Sequence, residues 1–174
     1  MPLDGMSLHA LARELNGLLA GGRVEKALQP EKDEIHLIIR SQYQNYRLVM
    51  SASANHPRVL ITAQSKANPL QAPMFCMLLR KRLSGASVLS ITQPGMERIL
   101  EMRLLAADEL GVKDELILRA ELMGRHSNIL LTDSSGRILD CIKHITEEKS
   151  RVRETLPGLS YTYPPAQDKR NPLE

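Results

Sequence analysis

From residue 7 to residue 20 the apolar side chains Leu8, Leu11, Leu15, Leu18 and Leu19 recur at helical spacing, and Ser7 stands at the N-cap position. Gly21-Gly22 predicts the end of that helix. A two-residue period then takes over near 23–28, 35–40, 46–50 and 58–62, and in the second stretch Ile35, Leu37 and Ile39 share one face. A second helix is predicted over 71–83, with Pro73 in its first turn, Gly85 past its end, and Met74 to Leu79 buried nearly all round. The strand pattern returns at 86–92, 98–105, 114–123, 128–132 and 137–142. There Leu100, Met102 and Leu104 alternate with Ile99, Glu101 and Arg103, while Leu116, Leu118, Ala120 and Leu122 alternate with Ile117, Arg119 and Glu121. Asp133-Ser134-Ser135-Gly136 predicts a hairpin turn.

Many short strands with two helices and no strand–helix alternation predict an α+β fold: an antiparallel, β-sandwich-like domain with two flanking helices. The domain is expected over 1–156. From about Glu147 the periodicity fails, and Pro157, Pro164, Pro165 and Pro172 predict an extended, Pro-rich linker end over 157–174, as in a fragment of a longer protein. Leu173-Glu174 has the look of an expression-vector scar.

Composition narrows the classes without choosing one. With 174 residues, 43% hydrophobic and 25% charged, the chain suits one ordinary globular domain. The absence of Trp, with one Phe and four Tyr, argues against an aromatic stacking platform for single strands. A net charge of +3 permits a polyanionic partner without requiring one. Cys76 and Cys141 lie in apolar contexts, which predicts buried thiols in a reducing, cytoplasmic setting. Met74 to Leu79, the longest apolar run, falls far short of the ~20 residues of a membrane span, so neither a membrane nor an export route is expected.

Enzyme constellations are missing. The chain has no CxxC pair, HExxH, P-loop or GxSxG turn, and His9, His36, His56, His126 and His144 lack metal-ligand spacing. His9 and His36 read as surface residues of a helix and a strand. No catalytic function, cofactor or metal is expected. Two loops hold more. Gln93-Pro94-Gly95-Met96-Glu97-Arg98 is a turn feeding a strand, where an acid beside an arginine can orient a guanidinium toward a phosphate or base edge, or form a plain surface ion pair. Met123-Gly124-Arg125-His126-Ser127-Asn128 crowds Arg125, His126 and Asn128 on one tip, which suits either recognition or an internal hydrogen-bond network. Arg80, Lys81 and Arg82 close the second helix, either offsetting its dipole or meeting a phosphate. Asp4 can cap a turn before the first helix.

Taken together, LDGMSLHALARELN from Leu3, GGRVEKALQPEKDEI from Gly21, NPLQAPMFCMLLRKRL from Asn68, QPGMERIL from Gln93 and MGRHSNILL from Met123 resemble the N-terminal domain of the NFACT family. That family includes the bacterial fibronectin-binding protein A-like proteins, and the resemblance runs to about Pro165. It implies an RNA-binding module of a ribosome quality control factor. Such a factor binds large ribosomal subunits obstructed by peptidyl-tRNA and recruits alanyl-tRNA, so that the stalled chain receives an untemplated alanine tail. The family's Asp-Asp-Arg set for tRNA binding falls on Asp4, Glu97 and Arg98, the middle position departing from the pattern by one methylene. The helix–hairpin–helix region, coiled coil and second NFACT domain of the family have no counterpart in this sequence. The resemblance also implies a fold similar to the N-terminal domain of formamidopyrimidine-DNA glycosylases, enzymes that use an N-terminal proline amine. Pro2 is followed here by Leu3 where that chemistry needs glutamate, so a glycosylase is a remote alternative. A fibronectin-binding surface adhesin is the nearer one.

Overall fold

The fold is taken from a computed structural model that describes residues 5–146 and 153–165. The elements run α1 (Gly5–Leu19), β1 (Arg23–Glu31), β2 (Glu34–Ser41), β3 (Gln44–Ser51), β4 (Arg58–Thr62), α2 (Met74–Leu83), β5 (Ser87–Thr92), β6 (Ile99–Ala107), β7 (Lys113–Glu121), β8 (Asn128–Thr132) and β9 (Ile138–Cys141). The helical period becomes α1, with Leu8, Leu15 and Leu19 fully buried and the polar residues outward. The second helix is shorter than predicted and Pro73 is its N-cap rather than a first-turn residue. Burial nearly all round is corrected as well. Phe75, Cys76, Leu79 and Leu83 face the core, while Met74 is 83% and Met77 55% exposed.

All nine strands form one antiparallel sheet in the order β4-β3-β2-β1-β5-β6-β7-β8-β9. Two meanders, β1–β4 and β5–β9, meet where Arg23 pairs with Ser87, and the Gly21 and Val24 amides donate to the Val88 and Ala86 carbonyls at 2.8 and 2.9 Å. One cluster of buried side chains draws on both meanders (Leu37, Leu48 and Met50 with Leu104, Leu118 and Leu131) and on both helices. The expected sandwich is therefore a single sheet folded about a shared core, and the two expected helices pack their apolar faces into that core. The far ends of the meanders are tied where the Lys143 ammonium donates to the Ala52 carbonyl at 2.6 Å.

Two local solutions shape the sheet. The β2–β3 hairpin turns on Gln42 and Tyr43, both at positive φ (51° and 68°), a two-residue turn that matches strand twist but strains side-chain-bearing residues. Ser41 Oγ donates to the Leu18 carbonyl at 2.7 Å and Gln42 Nε2 to the Gly17 carbonyl at 3.0 Å, fastening that turn to the end of α1. The predicted turn at 133–136 forms, with Asp133 Oδ1 accepting from the Ser135 and Arg137 amides.

Residues 153–165, which include part of the expected linker, form no helix or named strand but are anchored. Isolated bridges join Ile145 to Thr155 and Arg137 to Ser160, and the Tyr161 amide donates to the Gly136 carbonyl at 2.7 Å. These residues form a strap over the outer face of β6–β8.

Candidate nucleic-acid interface

Strand register decides which loops are neighbours. Ile99 pairs with Glu121, and Glu121 pairs with Asn128. The β5–β6 and β7–β8 connections, the two loops singled out from sequence, therefore leave the sheet at the same end. The start of α1 joins them: Gln93 Nε2 donates to the Gly5 carbonyl at 2.8 Å and to the Glu97 carbonyl at 2.7 Å. The approach is close enough to exclude a side chain, since a Cβ on Gly5 would lie 2.4 Å from the Met96 oxygen. Asp4 lies outside the described residues, as does Pro2.

On this rim Glu97 is exposed and Arg98 half-buried, its carbonyl accepting from the Leu122 amide at 2.8 Å. Arg125 and His126 are exposed on the neighbouring 3-10 turn, with Arg125 Nε donating to His126 Nε2 at 3.4 Å. Among the described residues, Arg98 and Arg125 thus stand with Glu97 on one rim. Asn128, by contrast, is 3% exposed. Its Nδ2 donates to the Lys143 carbonyl and Thr155 Oγ1, and its Oδ1 accepts from the Ile129 and Lys143 amides. Every polar valence is occupied internally, so Asn128 shapes the loop and does not touch a partner. Ser127, also buried, accepts from the Met123 amide at 2.9 Å.

The basic turn of α2 stands apart. Lys81 pairs at 3.1 Å with Glu109, both groups mostly exposed, in the β6–β7 turn at the opposite end of the strands. Nine residues of β6 at ~3.3 Å each set that end roughly 26 Å from the rim. Arg80 Nε donates to the Ala27 carbonyl at 3.0 Å, and Arg82 is half-buried. Arg80, Lys81 and Arg82 thus do not share a surface with Arg98.

Sequence reasoning missed the outer face of β6–β8. Glu101, Arg119 and Glu121 alternate with apolar residues and so read as solvated, yet all three are buried beneath the strap. Arg119 Nε donates to Glu101 Oε2 at 2.6 Å, and its guanidinium also reaches Thr132 Oγ1. Arg153 grips Glu121 through two bonds of 2.9 and 2.7 Å, and the Tyr161 hydroxyl donates to the same carboxylate at 2.6 Å. The Arg119 guanidinium lies 4.0 Å from the Tyr161 ring centroid and the Arg153 guanidinium 5.2 Å. Burial, and after it the Glu121 carboxylate, pushes the Tyr161 phenol far above its ordinary range.

A second missed cluster is Asp140, Cys141 and His144, whose ligand-type atoms lie within 4.8 Å of one another. Each is already engaged. His144 Nε2 sits 2.8 Å from Asp140 Oδ1, and the Cys141 thiol donates to the Thr155 carbonyl at 3.2 Å. Burial first, then the Asp140 charge, pushes that thiol up to about 12, which opposes the thiolate a metal requires. His36 is not the surface residue expected: it is 2% exposed and hydrogen-bonded to Glu34 and Arg47. Both cysteines are buried and free. Among the described residues no helix is long and apolar enough to cross a membrane.

With this geometry in hand, the comparisons with known proteins agree on one family. A family profile described as NFACT N-terminal and middle domains matches residues 4–174. The chain is 43% identical over 175 residues to the Rqc2 homolog RqcH of Bacillus subtilis, covering 100% of this chain and 31% of that protein. It is 30% identical over 156 residues to the mouse ribosome quality control complex subunit NEMF, covering 87% of this chain and 14% of that one. Among solved structures, the N-terminal domain of fibronectin-binding protein PavA from Streptococcus pneumoniae superposes with a TM-score of 0.93 at 40% identity, over 99% of this chain and 64% of that one. The chain belongs to the NFACT family and matches its N-terminal region. It spans about a third of the length of the bacterial relatives it matches.

Proposed function

We propose that this domain is a non-catalytic RNA-recognition module of a cytoplasmic ribosome quality control factor. Its rim engages the folded body of a tRNA, alanyl-tRNA in a bacterial setting, on a large subunit obstructed by peptidyl-tRNA, in support of alanine tailing. The observation that carries this reading is the convergence of Glu97, Arg98, Arg125 and His126 on one accessible edge beside the start of α1, fixed there by strand register and the Gln93 amide. Glu97 can orient the Arg98 guanidinium, whose forked donors match a phosphate or a base edge. The relatives named for ribosome quality control support the same assignment.

Titration of the domain with a tRNA panel at several salt concentrations tests it. Log K should fall by roughly 0.7–0.9 per neutralised phosphate for each decade of salt. Arg125→Ala should weaken binding without altering the unfolding transition, and salt-independent binding insensitive to Arg98 and Arg125 would remove the reading. A second reading, fibronectin binding, is favoured by the name of the PavA neighbour. Immobilised fibronectin that retains the domain at physiological salt, with affinity unaffected by rim substitutions, would support it.

A further inference from the structure

The outer face of the β1–β4 meander carries a cleft of about 380 Å³ that no role above uses. Lys26, Ile38, Arg47 and Thr62 line it, and register makes them successive cross-strand partners on four adjacent strands. Strand spacing of ~4.8 Å puts the Lys26 and Arg47 backbones roughly 10 Å apart, either side of Ile38, within reach of one shared group for side chains of their length. Lys26 is exposed and has no ion pair among the described residues, and no carboxylate lines the cleft. Asn45 and Thr62 add neutral donors.

Arg47 is held from behind by a buried chain of hydrogen bonds. Its Nη1 lies 2.9 Å from His36 Nδ1, and a guanidinium can only donate, so that ring nitrogen is the acceptor and the ring proton sits on Nε2. Nε2 then donates to Glu34 Oε2 at 2.7 Å, while Arg58 and Lys66 hold the same carboxylate at 3.0 and 3.1 Å. Burial raises the Glu34 carboxyl, but the bonds from His36 and Lys66 outweigh it and hold the group below its ordinary value. A carboxylate 3% exposed and a histidine 2% exposed are a costly way to hold one surface arginine unless its direction matters. One of the five guanidinium donors is spent on His36, and Arg47 makes no other side-chain hydrogen bond among the described residues.

We propose that this cleft binds a phosphate group, with Lys26 and Arg47 as its ligands and His36 as the positioning residue that aims the Arg47 guanidinium. The phosphate is either a phosphodiester of a polynucleotide lying across the meander or a free phosphorylated anion. The inference does not depend on the rim.

Amide NMR spectra of the ¹⁵N-labelled domain, titrated separately with pyrophosphate and with a short unstructured oligoribonucleotide, test it. The amides of Lys26, Ile38, Asn45, Arg47 and Thr62 are expected to shift with at least one probe. Shifts with the oligoribonucleotide identify a polynucleotide phosphate, and shifts with pyrophosphate alone identify a free anion. Lys26→Gln, an exposed change, and Arg47→Gln should each weaken the response tenfold or more. His36→Leu should do the same, whereas His36→Asn, which keeps an acceptor at the Nδ1 position, should restore most of it. Unshifted cleft amides with both probes, or an undiminished response in the Lys26 and Arg47 variants, would overturn the proposal. An Arg98→Ala domain that loses tRNA but keeps these shifts separates this site from the rim.

Discussion

Acids and arginines stand together in a covered setting and in an accessible one, and the two settings serve opposite ends. On the outer face of β6–β8, Glu101–Arg119 and Glu121–Arg153 lie under the strap, with Glu121 1% exposed and both of its carboxylate oxygens in use. On the rim, Glu97 is open to solvent and Arg98 is half-buried at the foot of a turn. The residue types are the same, and the surroundings differ. A buried charge draws its partners from within the fold, so the covered couples fix where residues 153–163 lie and are closed to an outside partner. An accessible pair contributes little to stability in high dielectric and stands where a ligand can reach it. Accessibility thus separates the groups that hold the fold from those available for recognition.

The largest effect is expected from breaking a covered couple. Arg119→Met leaves Glu101 buried without its partner and removes the cation over Tyr161, a loss of about 3–5 kcal/mol. For a domain of this size that lowers Tm by roughly 6–20 °C. Adding Glu101→Leu should return much of it, because two well-packed apolar groups carry no unpaired charge. Thermal unfolding of the single and double variants reads both, and a double variant no better than the single would contradict the account. Next in size is Gly5→Ala. Its Cβ would collide with the Met96 oxygen, so the start of α1 must withdraw from the rim turn, at about 1–3 kcal/mol. Unfolding midpoints and tRNA binding should fall together, and a variant impaired in neither would show that this contact positions nothing.

Periodicity made most of the body legible. β4 and β8 fall where the two-residue pattern puts them, and the others within a few residues. What stayed hidden depended on contacts distant in the chain. A Glu or Arg on one face of a strand reads as solvated, and only the arrival of Arg153 and Tyr161 buries it. The prolines of that segment do resemble a linker, because extended backbone is shared by linkers and by straps. The Gln42-Tyr43 turn carries no glycine to announce it, its strain being met by bonds to α1. For Asn128 both a recognition contact and an internal hydrogen-bond network stayed open, because loop composition does not distinguish a polar group aimed outward from one that holds the loop together. The two rim loops, in contrast, were legible as loops, and register supplied their adjacency.

The smallest effect comes from the Glu34 network. Its carboxyl titrates lower when folded than the unfolded value of about 4.3. Its contribution to stability is therefore complete above that value and is lost as the pH falls through the folded one. In urea unfolding, the stability gap between wild type and Glu34→Gln should shrink as the pH falls from 5 toward 3. A gap independent of pH would contradict the assignment.

The division between covered and accessible couples is tested most directly by measuring tRNA affinity and unfolding free energy together for Arg98→Ala. Loss of a charged hydrogen bond predicts affinity lower by about tenfold or more, while stability stays within about 1 kcal/mol of wild type. Unchanged affinity with a stability loss of the size expected for Arg119→Met would place Arg98 among the groups that hold the fold, and the rim would not be the recognition surface.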